Sequence, residues 1–173
     1  MRKPAKIMLV IVSIFVLTTI LGACGKKQEV VSQDGKFSIT VSEDWKTSTE
    51  TNYIIYGEKG NSTLEIYESY LPESVTAADP ELSKIENIAN WVVKLVPGGK
   101  VTKAIIYQGE IDGKEAVVYT ERKKGIEDGK TALFGEIEAS DGILYKIFLS
   151  AENDKEYNEK EFLEIIKSFK IKE

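Results

Sequence analysis

The sequence contains no histidine and a single cysteine, Cys24, among its 173 residues. Histidine is the commonest general base and a leading metal ligand, so this chain cannot build a Ser-His-Asp triad and lacks the main ligand of a zinc site. A lone cysteine cannot form a disulfide within the chain, so a folded domain here must be stabilised by its core. These absences exclude several classes of enzyme chemistry and any disulfide-dependent scaffold.

Arg2, Lys3 and Lys6 precede an uncharged, strongly apolar stretch at residues 7–21. A short basic segment followed by such a stretch is typical of an export signal, whose positive end stays in the cytoplasm. One alternative is an uncleaved transmembrane anchor, because the uncharged residues 7–25 approach the roughly 20 residues that span a bilayer. Another is an ordinary secretory signal that happens to end near a cysteine. Whichever way the chain is anchored, the residues from Lys26 onward are expected outside the cytoplasm.

The apolar stretch ends in Leu21-Gly22-Ala23-Cys24. These four residues resemble a lipobox, the site at which bacterial lipoproteins are lipidated and cleaved. The resemblance implies that signal peptidase recognises Leu21, Gly22 and Ala23, and that Cys24 becomes the mature N-terminus with a diacylglyceryl group on its sulfur. It therefore implies a protein of the cell membrane, lipid-anchored on the extracytoplasmic face. Two acyl chains suffice for stable anchoring, whereas one alone is marginal.

The exported part is acidic. The whole chain has a net charge of -5, and removing the three positive charges of the leader leaves about -8. Such a charge disfavours nucleic-acid binding, which needs basic patches, and close binding to anionic lipid. Lys26 and Lys27 are an exception beside the anchor, and we interpret them as part of a solvated tether rather than as a specific head-group site.

No internal repeat, low-complexity segment or second linker interrupts the exported part. We therefore divide the chain into a signal peptide at 1–23, a lipidated N-terminus and tether at 24–28, and a single domain at 29–173. The length of that last segment suits one ordinary globular domain.

Four Asp-Gly pairs separate segments rich in β-branched and aromatic residues, and predict tight turns between antiparallel strands. They begin at Asp34, Asp112, Asp128 and Asp141. The turn that ends at Trp45 is predicted to place this side chain in the core. A further hairpin is predicted between residues 52–56 and 63–68.

Two helices are predicted. An apolar stripe with three- and four-residue steps runs from Leu82 to Leu95, preceded by Asp79 as a cap and followed by residues 97–99, Pro-Gly-Gly, as a terminator. The second helix spans residues 158–169, where Asn158 and Glu161 resemble a capping box.

These elements predict an α+β domain with an antiparallel β-sheet of about six to eight strands. Several of its strands carry apolar side chains on both faces, as at Val117 and Val118. A sheet that is apolar on both faces needs cover on both, so the helices are predicted to pack on opposite faces in an α/β/α sandwich.

The order of these features resembles the PsbP-like family, named for an extrinsic subunit of photosystem II. The resemblance rests on residues 35–41, GKFSITV, leading into Asp44-Trp45, and on residues 162–170, FLEIIKSFK, at the end of the last helix. The proline that the family usually has before the tryptophan is missing. The resemblance implies a fold and carries over neither photosystem activity nor catalytic residues.

Few residues suggest chemistry. Glu136 and Glu138 share a strand face and could form an acid pair or bind calcium, but we favour a solvated strand face near a sheet edge. Residues 127–129 suggest a calcium loop only weakly, because the alternating oxygens and distal glutamate of an EF-hand are missing. Trp91 lies off the apolar stripe of the first helix. It either widens the buried face or, if exposed, contacts a partner.

Tyrosine is frequent in the predicted strands, where it either contributes to a binding surface or simply suits strand structure. We favour the second interpretation for these residues: Tyr53, Tyr56, Tyr67, Tyr70, Tyr107 and Tyr119.

The sequence therefore favours a non-enzymatic binding or assembly module of the cell envelope. Its expected partners are the membrane, through the lipid, and an unidentified protein or small molecule. No nucleic acid, cofactor or metal is expected. The alternatives are a small hydrolase using carboxylates or a Ser-Lys pair, and a purely structural accessory subunit of an envelope complex.

Overall fold

The structure is a computed structural model that describes residues 25–49, 54–70, 79, 81, 84–94, 101–123, 131–140 and 143–172. The signal peptide and the lipobox, Leu21 to Cys24, lie outside the described residues, so export and lipidation remain predictions. The Asp-Gly turns at 128–129 and 141–142 and the calcium loop considered at 127–129 also lie outside them.

Two antiparallel sheets contain the ten strands of the described part. In spatial order, the small sheet consists of β1 (Lys27–Val31), β2 (Phe37–Ser42) and β10 (Lys170–Ile171), with β2 in the middle. The large sheet runs in the order β3 (Lys46–Ser48), β4 (Ile55–Lys59), β5 (Ser62–Tyr70), β9 (Ile143–Ala151), β8 (Thr131–Ser140), β7 (Lys114–Lys123) and β6 (Val101–Ile111). The helices are α1 (Lys84–Lys94) and α2 (Glu159–Lys167).

The antiparallel α+β architecture is confirmed, and the seven strands of the large sheet agree with the predicted number. The separate small sheet was not predicted. It arises because β10, which follows α2, returns to pair with β2, where Lys170 lies opposite Ser38. The consecutive order of β6 to β9 agrees with the predicted meander.

The predicted turn between β6 and β7 is present. Asp112 and Gly113 have φ angles of 53° and 70°. A two-residue type I′ hairpin requires positive φ at both central positions, which asparagine, aspartate and glycine tolerate best. The Asp-Gly pair therefore fixes the pairing of Ile111 with Lys114, and with it the β6–β7 register.

The predicted cap of the last helix is also present. Glu161 N donates to Asn158 Oδ1 at 3.2 Å, so the side chain of Asn158 satisfies one free amide at the start of α2. Phe162, Ile165 and Ile166 form the buried face of the helix.

Gly135 on β8 allows α2 to approach the large sheet closely. A Cβ atom at this position would lie 2.6 Å from Ile166 Cγ2, well inside van der Waals contact. A glycine within a strand often marks such a close approach.

The buried apolar side chains form two clusters. Neighbouring residues of β7 belong to different ones: Val118 packs in the cluster that includes Ile166 of α2, whereas Val117 and Tyr119 pack in the cluster that includes Ile88 of α1. Successive side chains of a strand point to opposite faces, so the two clusters use opposite faces of β7. Trp45 is 2% exposed, as predicted, and belongs to the α2 cluster.

The first strand begins within residues 24–28, the segment predicted as the lipidated N-terminus and tether. β1 begins at Lys27, and the carbonyl of Lys26 accepts a hydrogen bond from Glu43 N at 3.0 Å. Gln28 Nε2 also donates to the carbonyl of Trp45 at 2.7 Å. None of the helices in the described part is long and apolar enough to cross a membrane.

Candidate functional site

A cleft of about 280 Å³ lies between the small sheet and α2. Val41 and Ile165 supply apolar lining, and Lys27, Glu161 and Glu164 supply charge. β1 and β2 position the first side of the cleft and α2 the second. Because β1 starts at Lys27, the cleft lies only a few residues along the chain from Cys24.

Glu161 is the most highly connected side chain of this region. Its Oε1 atom accepts hydrogen bonds from Lys59 Nζ at 2.8 Å, Trp45 Nε1 at 3.2 Å and Ser42 Oγ at 3.2 Å. Its other oxygen lies 3.4 Å from Nδ2 of the cap residue Asn158. One carboxylate thus joins β2, the residue before β3, β4 and the first turn of α2.

A second carboxylate shares the same ammonium. Asp44 Oδ2 lies 2.9 Å from Lys59 Nζ, and Asp44 also forms a hydrogen bond with the hydroxyl of Ser42. Lys59 therefore lies between Asp44 and Glu161 and compensates the charge of both. The exposed fractions of the Lys59 and Glu161 side chains, 32% and 25%, show that the pair is partly desolvated.

The protonation equilibria follow from these contacts. Burial alone raises the pKa of Glu161, but the hydrogen bonds from Lys59, Trp45 and Ser42 outweigh it and lower that pKa. Burial alone lowers the pKa of Lys59, but hydrogen bonds to Glu161 and Asp44 outweigh it and raise that pKa. The hydrogen bonds from Ser42 and Lys59 lower the pKa of Asp44. All three groups are therefore held in their charged forms near neutral pH.

This electrostatic arrangement disfavours Ser-Lys hydrolase chemistry at Ser42. A lysine that accepts a proton from serine must be neutral, which requires a lowered pKa. Lys59 has a raised pKa because two carboxylates surround it. The Ser168 hydroxyl, also in the cleft, is occupied with backbone: it donates to the carbonyl of Ile165 at 2.7 Å and accepts from Thr40 N at 2.8 Å.

Lys27 and Glu164 are the charged cleft residues that remain most accessible. Their charged atoms are 3.9 Å apart, and their side chains are 54% and 56% exposed. An exposed pair at this distance is weakly coupled, so either group can exchange its partner for a ligand or a lipid at little cost. The cleft can therefore bind a polar group at Lys27 or Glu164, while the Glu161 contacts keep its walls in place.

Glu136 on β8 corrects one sequence-based interpretation. It is 4% exposed, because β8 lies between β7 and β9 in the interior of the large sheet. The expectation of a solvated strand face near an edge was therefore wrong for this residue. Tyr119 donates its hydroxyl to Glu136 Oε1 at 2.8 Å, and Lys146 Nζ lies 3.2 Å from the same oxygen.

Glu136 and Glu138 each form an ion pair with a different lysine. Glu136 is paired with Lys146, and Glu138 lies 3.2 Å from Lys84 of α1. Each carboxylate therefore has its own cation, and the two are not arranged as the acid pair considered from the sequence. Burial and the neighbouring charge of Glu136 raise the pKa of Tyr119, which keeps its hydroxyl protonated as a donor.

Trp91 is partly buried and packs against the α1 cluster. Lys103 Nζ lies 5.6 Å from the centre of its ring and 5.5 Å from that of Tyr119, within the range of cation–π attraction. Trp91 thus widens the buried face, the first of its two predicted roles. A partner contact through its remaining surface stays a prediction.

The tyrosines are dispersed rather than gathered on one surface. Tyr119 is 3% exposed and Tyr70 is 73% exposed, while Lys167 Nζ lies 3.9 Å above the ring of Tyr107. Tyr53 lies outside the described residues. Within the described part, no group of three or more acidic or cysteine side chains is arranged to hold a metal ion.

The sequence did not reveal the connection between Lys59 and Glu161. Glu161 was identified only as a capping partner, and no local pattern marked Lys59. The two residues are 102 positions apart in the chain. The signal available was the predicted core position of Trp45, whose indole nitrogen needs an acceptor when buried.

No protein-family model matches the sequence, and no curated protein matches it. Several solved structures are similar to this chain. The chain is similar to cyanobacterial PsbP (CyanoP) from Synechocystis, with 13% identity, a TM-score of 0.50, and coverage of 86% of this chain and 94% of that one. It is also similar to LpqN of Mycobacterium tuberculosis, described as involved in cell envelope biogenesis, with 14% identity, a TM-score of 0.56, and coverage of 86% and 91%.

A Bacteroides thetaiotaomicron protein gives a TM-score of 0.53 at 14% identity, with coverage of 86% of this chain and 49% of that one. This chain therefore spans about half of the Bacteroides protein. At such identities the comparisons establish the fold alone. That fold is PsbP-like, as the resemblance of the sequence implied.

Proposed function

We propose that this protein is an extracytoplasmic lipoprotein, anchored to the cell membrane through Cys24, whose PsbP-like domain is a non-enzymatic binding or assembly module of the envelope. The observation that carries the proposal is the position of Leu21-Gly22-Ala23-Cys24, which ends the apolar leader three residues before β1 begins at Lys27. The export signal therefore ends where the folded domain begins, as cleavage before Cys24 requires.

The similarity to LpqN supports the envelope setting, because that protein has the same fold and is described as involved in cell envelope biogenesis. The similarity to CyanoP supports an accessory role for the fold, without carrying over a photosystem. A purely structural accessory subunit is a special case of the same proposal.

The side-chain chemistry supports binding over catalysis. Asp44 and Glu161 hold Lys59 as a cation. Within the large sheet, the charge of Glu136 is compensated by Lys146, and the hydroxyl of Tyr119 donates to the same carboxylate. Ion-pair networks of this kind account for shifted pKa values structurally, so the shifts at Lys59, Asp44 and Glu161 need no catalytic role to explain them. For a domain of this kind we also infer that α1 and α2 cover opposite faces of the large sheet, since their clusters use opposite faces of β7.

Metabolic labelling with a fatty-acid analogue tests the anchor. The wild-type protein is expected to incorporate the label and fractionate with membranes. Cys24→Ala is expected to lose the label and to accumulate at the precursor mass, because lipidation precedes cleavage. Label retained by the variant would contradict the proposal. A wild-type protein that remains in membranes, unlabelled and uncleaved, would instead support the transmembrane anchor.

Cross-linking in intact cells tests the binding role. A partner cross-linked to the wild-type protein but not to an equally lipidated, unrelated lipoprotein would support it. Hydrolytic activity of the purified protein that is lost in Ser42→Ala or Glu136→Gln would contradict it and favour the hydrolase alternative.

A further inference from the structure

The folded domain begins almost at the lipid anchor. Glu43 N donates to the carbonyl of Lys26 at 3.0 Å, and Lys27 pairs with Ser42 in the small sheet. Gly25 is then the only residue between Cys24 and the first cross-strand contact. An extended residue spans about 3.5 Å, so Lys26 lies within about 7 Å of the anchored cysteine. Such a short link restricts the orientation of the domain as well as its distance from the bilayer.

The strands give the domain a near end and a far end relative to the anchor. Lys26, Lys27, Glu43 and Asp44 lie at the near end, where β1 starts and β2 finishes. β2 begins at the opposite end with Phe37, which pairs with Ile171.

The turn between β6 and β7 belongs to the far end as well. Asp112 Oδ2 accepts a hydrogen bond from Ile171 N at 2.9 Å, which places this turn beside the start of β2. A rise of about 3.4 Å per residue over β2 separates the two ends by roughly 17 Å. Labels at the two ends therefore report different depths if the domain stands upright on its anchor.

The near end is charged rather than apolar. Lys26, Lys27, Glu43 and Asp44 are all exposed. Among the described residues, the exposed large apolar side chains are Val31, at 39%, and Tyr70, at 73%. A charged surface is suited to the lipid headgroups and not to insertion among the acyl chains.

The two exposed apolar residues lie away from the anchor. Val31 pairs with Ser38 at the end of β1, and Tyr70 pairs with Ile143 at the end of β5. Lys27 of the near end begins β1. Ser62 begins β5 and pairs with Lys59, whose Nζ lies 2.9 Å from Asp44 of the near end. Both strands therefore carry their exposed apolar residue at the end remote from the anchor.

We infer that the near end, formed by Lys26, Lys27, Glu43 and Asp44, is a membrane-facing surface that rests on the lipid headgroups of the bilayer holding Cys24, with Lys26 and Lys27 against the lipid phosphates. This inference rests on the proposed lipid anchor at Cys24. Lys59 compensates Asp44. Glu164 lies 3.9 Å from Lys27, and both side chains are more than half exposed, so this weak pair leaves Lys27 able to contact a phosphate. The cleft, which Lys27 borders, then opens beside the membrane.

Depth measurements on the lipidated, full-length mature protein test the orientation. Lipidation consumes the only native thiol, so Glu43→Cys and Lys114→Cys each give a single site for a fluorophore at the near and far ends. The proteins are reconstituted in vesicles of phosphatidylcholine and phosphatidylglycerol that contain a lipid with a spin-labelled headgroup. We expect severalfold stronger quenching at position 43 than at position 114. Equal quenching at both positions would overturn the inference.

A tether variant provides the control. Twelve glycine and serine residues inserted after Gly25 leave the anchor and the domain intact but free the domain to move away. Quenching at position 43 is expected to fall to the level at position 114. Unchanged strong quenching would mean that the surface binds lipid without the short link, and quenching that is weak before and after insertion would overturn the inference.

Two matched charge variants test the lysines. Lys26→Gln with Lys27→Gln is expected to weaken quenching at position 43, whereas Lys36→Gln with Lys114→Gln at the far end is expected to leave it unchanged. Equal effects of the two variants would overturn the lysine–phosphate contact.

Flotation with the vesicles distinguishes a failure of the proposed anchor from a failure of the proposed orientation. Wild-type protein that does not float contradicts the anchor. Protein that floats but is quenched equally at positions 43 and 114 contradicts only the orientation.

Discussion

Lys59 Nζ lies 2.8 Å from Glu161 Oε1, which fastens the end of β4 to the first turn of α2. The indole of Trp45 donates to the same oxygen at 3.2 Å, while its ring packs 6.3 Å from that of Phe162 on the next position of the helix. The polar and apolar contacts of Trp45 thus both hold α2 against the segment between β2 and β3. Glu161 therefore serves both as the capping partner of Asn158 and as the polar anchor of the helix against the strands.

Replacing Glu161 by glutamine should destabilise the protein by about 1 to 2 kcal/mol at neutral pH, because Lys59 loses one of two anionic partners while partly desolvated. Urea denaturation compares the variant with Glu164→Gln. Glu164 is one turn further along the same helix, and its side chain is 56% exposed. That control should change the free energy of unfolding by less than about 0.5 kcal/mol. Equal effects of the two substitutions would refute the special role of Glu161.

The same contacts give the stability a defined pH dependence. The pKa of Glu161 is lower in the folded protein than in the unfolded chain, so the folded state binds fewer protons at this site than the unfolded state does. Its contribution is fully present above the ordinary glutamate pKa of about 4.3 and is lost as the pH falls through the folded value. The difference in free energy of unfolding between wild type and Glu161→Gln should therefore shrink on acidification below that range. A difference that grows on acidification would contradict this assignment.

Gly135→Ala should destabilise the protein by about 1 to 3 kcal/mol, because the new methyl group would lie 2.6 Å from Ile166 Cγ2 on α2. Ile166→Ala removes that atom. The alanine at position 135 should therefore cost less in the Ile166→Ala background than in the wild type, which a double-mutant cycle measures. Strict additivity would show that the tight contact does not determine the need for glycine.

Gly113→Ala should cost about 1 kcal/mol, since residue 113 has a φ of 70° and alanine is strained there. Asp112→Ala should cost at least as much, because Asp112 has a φ of 53° and also accepts the amide of Ile171. Asp112→Asn is the matched control, as asparagine tolerates positive φ and keeps an acceptor oxygen. Thermal unfolding of the three variants should place Asp112→Asn nearest the wild type.

The features that the sequence predicted correctly depend on neighbours in the chain. The Asp112-Gly113 turn and the Asn158 cap each involve residues within a few positions, so composition and spacing were sufficient. The environment of Glu136 depends instead on the order of the strands. Pairing of Ser62 with Ala151 places β5 beside β9, so the sheet continues past β9 and β8 lies in its interior rather than near an edge. Periodicity along one strand carries no information about such distant pairings.

The position of the small sheet shows the same limit. Apolar alternation in residues 37–41 predicted β2, but the pairing of β10 with β2 joins residues at opposite ends of the domain. The contact between Lys59 and Glu161 likewise joins residues 102 positions apart, on β4 and α2. Nonlocal polar contacts of this kind leave no regular spacing in the sequence.

Lys146→Met should destabilise the protein by about 3 kcal/mol, because it leaves the carboxylate of Glu136, 4% exposed, without its cation. Glu136→Gln in the same background removes the uncompensated charge and keeps an acceptor for the hydroxyl of Tyr119. The double variant should therefore be more stable than Lys146→Met alone, since an unpaired buried charge costs more than a neutral amide. Urea denaturation of the two single variants and the double variant measures the coupling. If Glu136→Gln destabilised the Lys146→Met protein further, the ion pair would not be the reason that Lys146 stabilises the sheet. The better explanation would then be the packing of the aliphatic part of Lys146 beside Tyr67 on the paired strand β5.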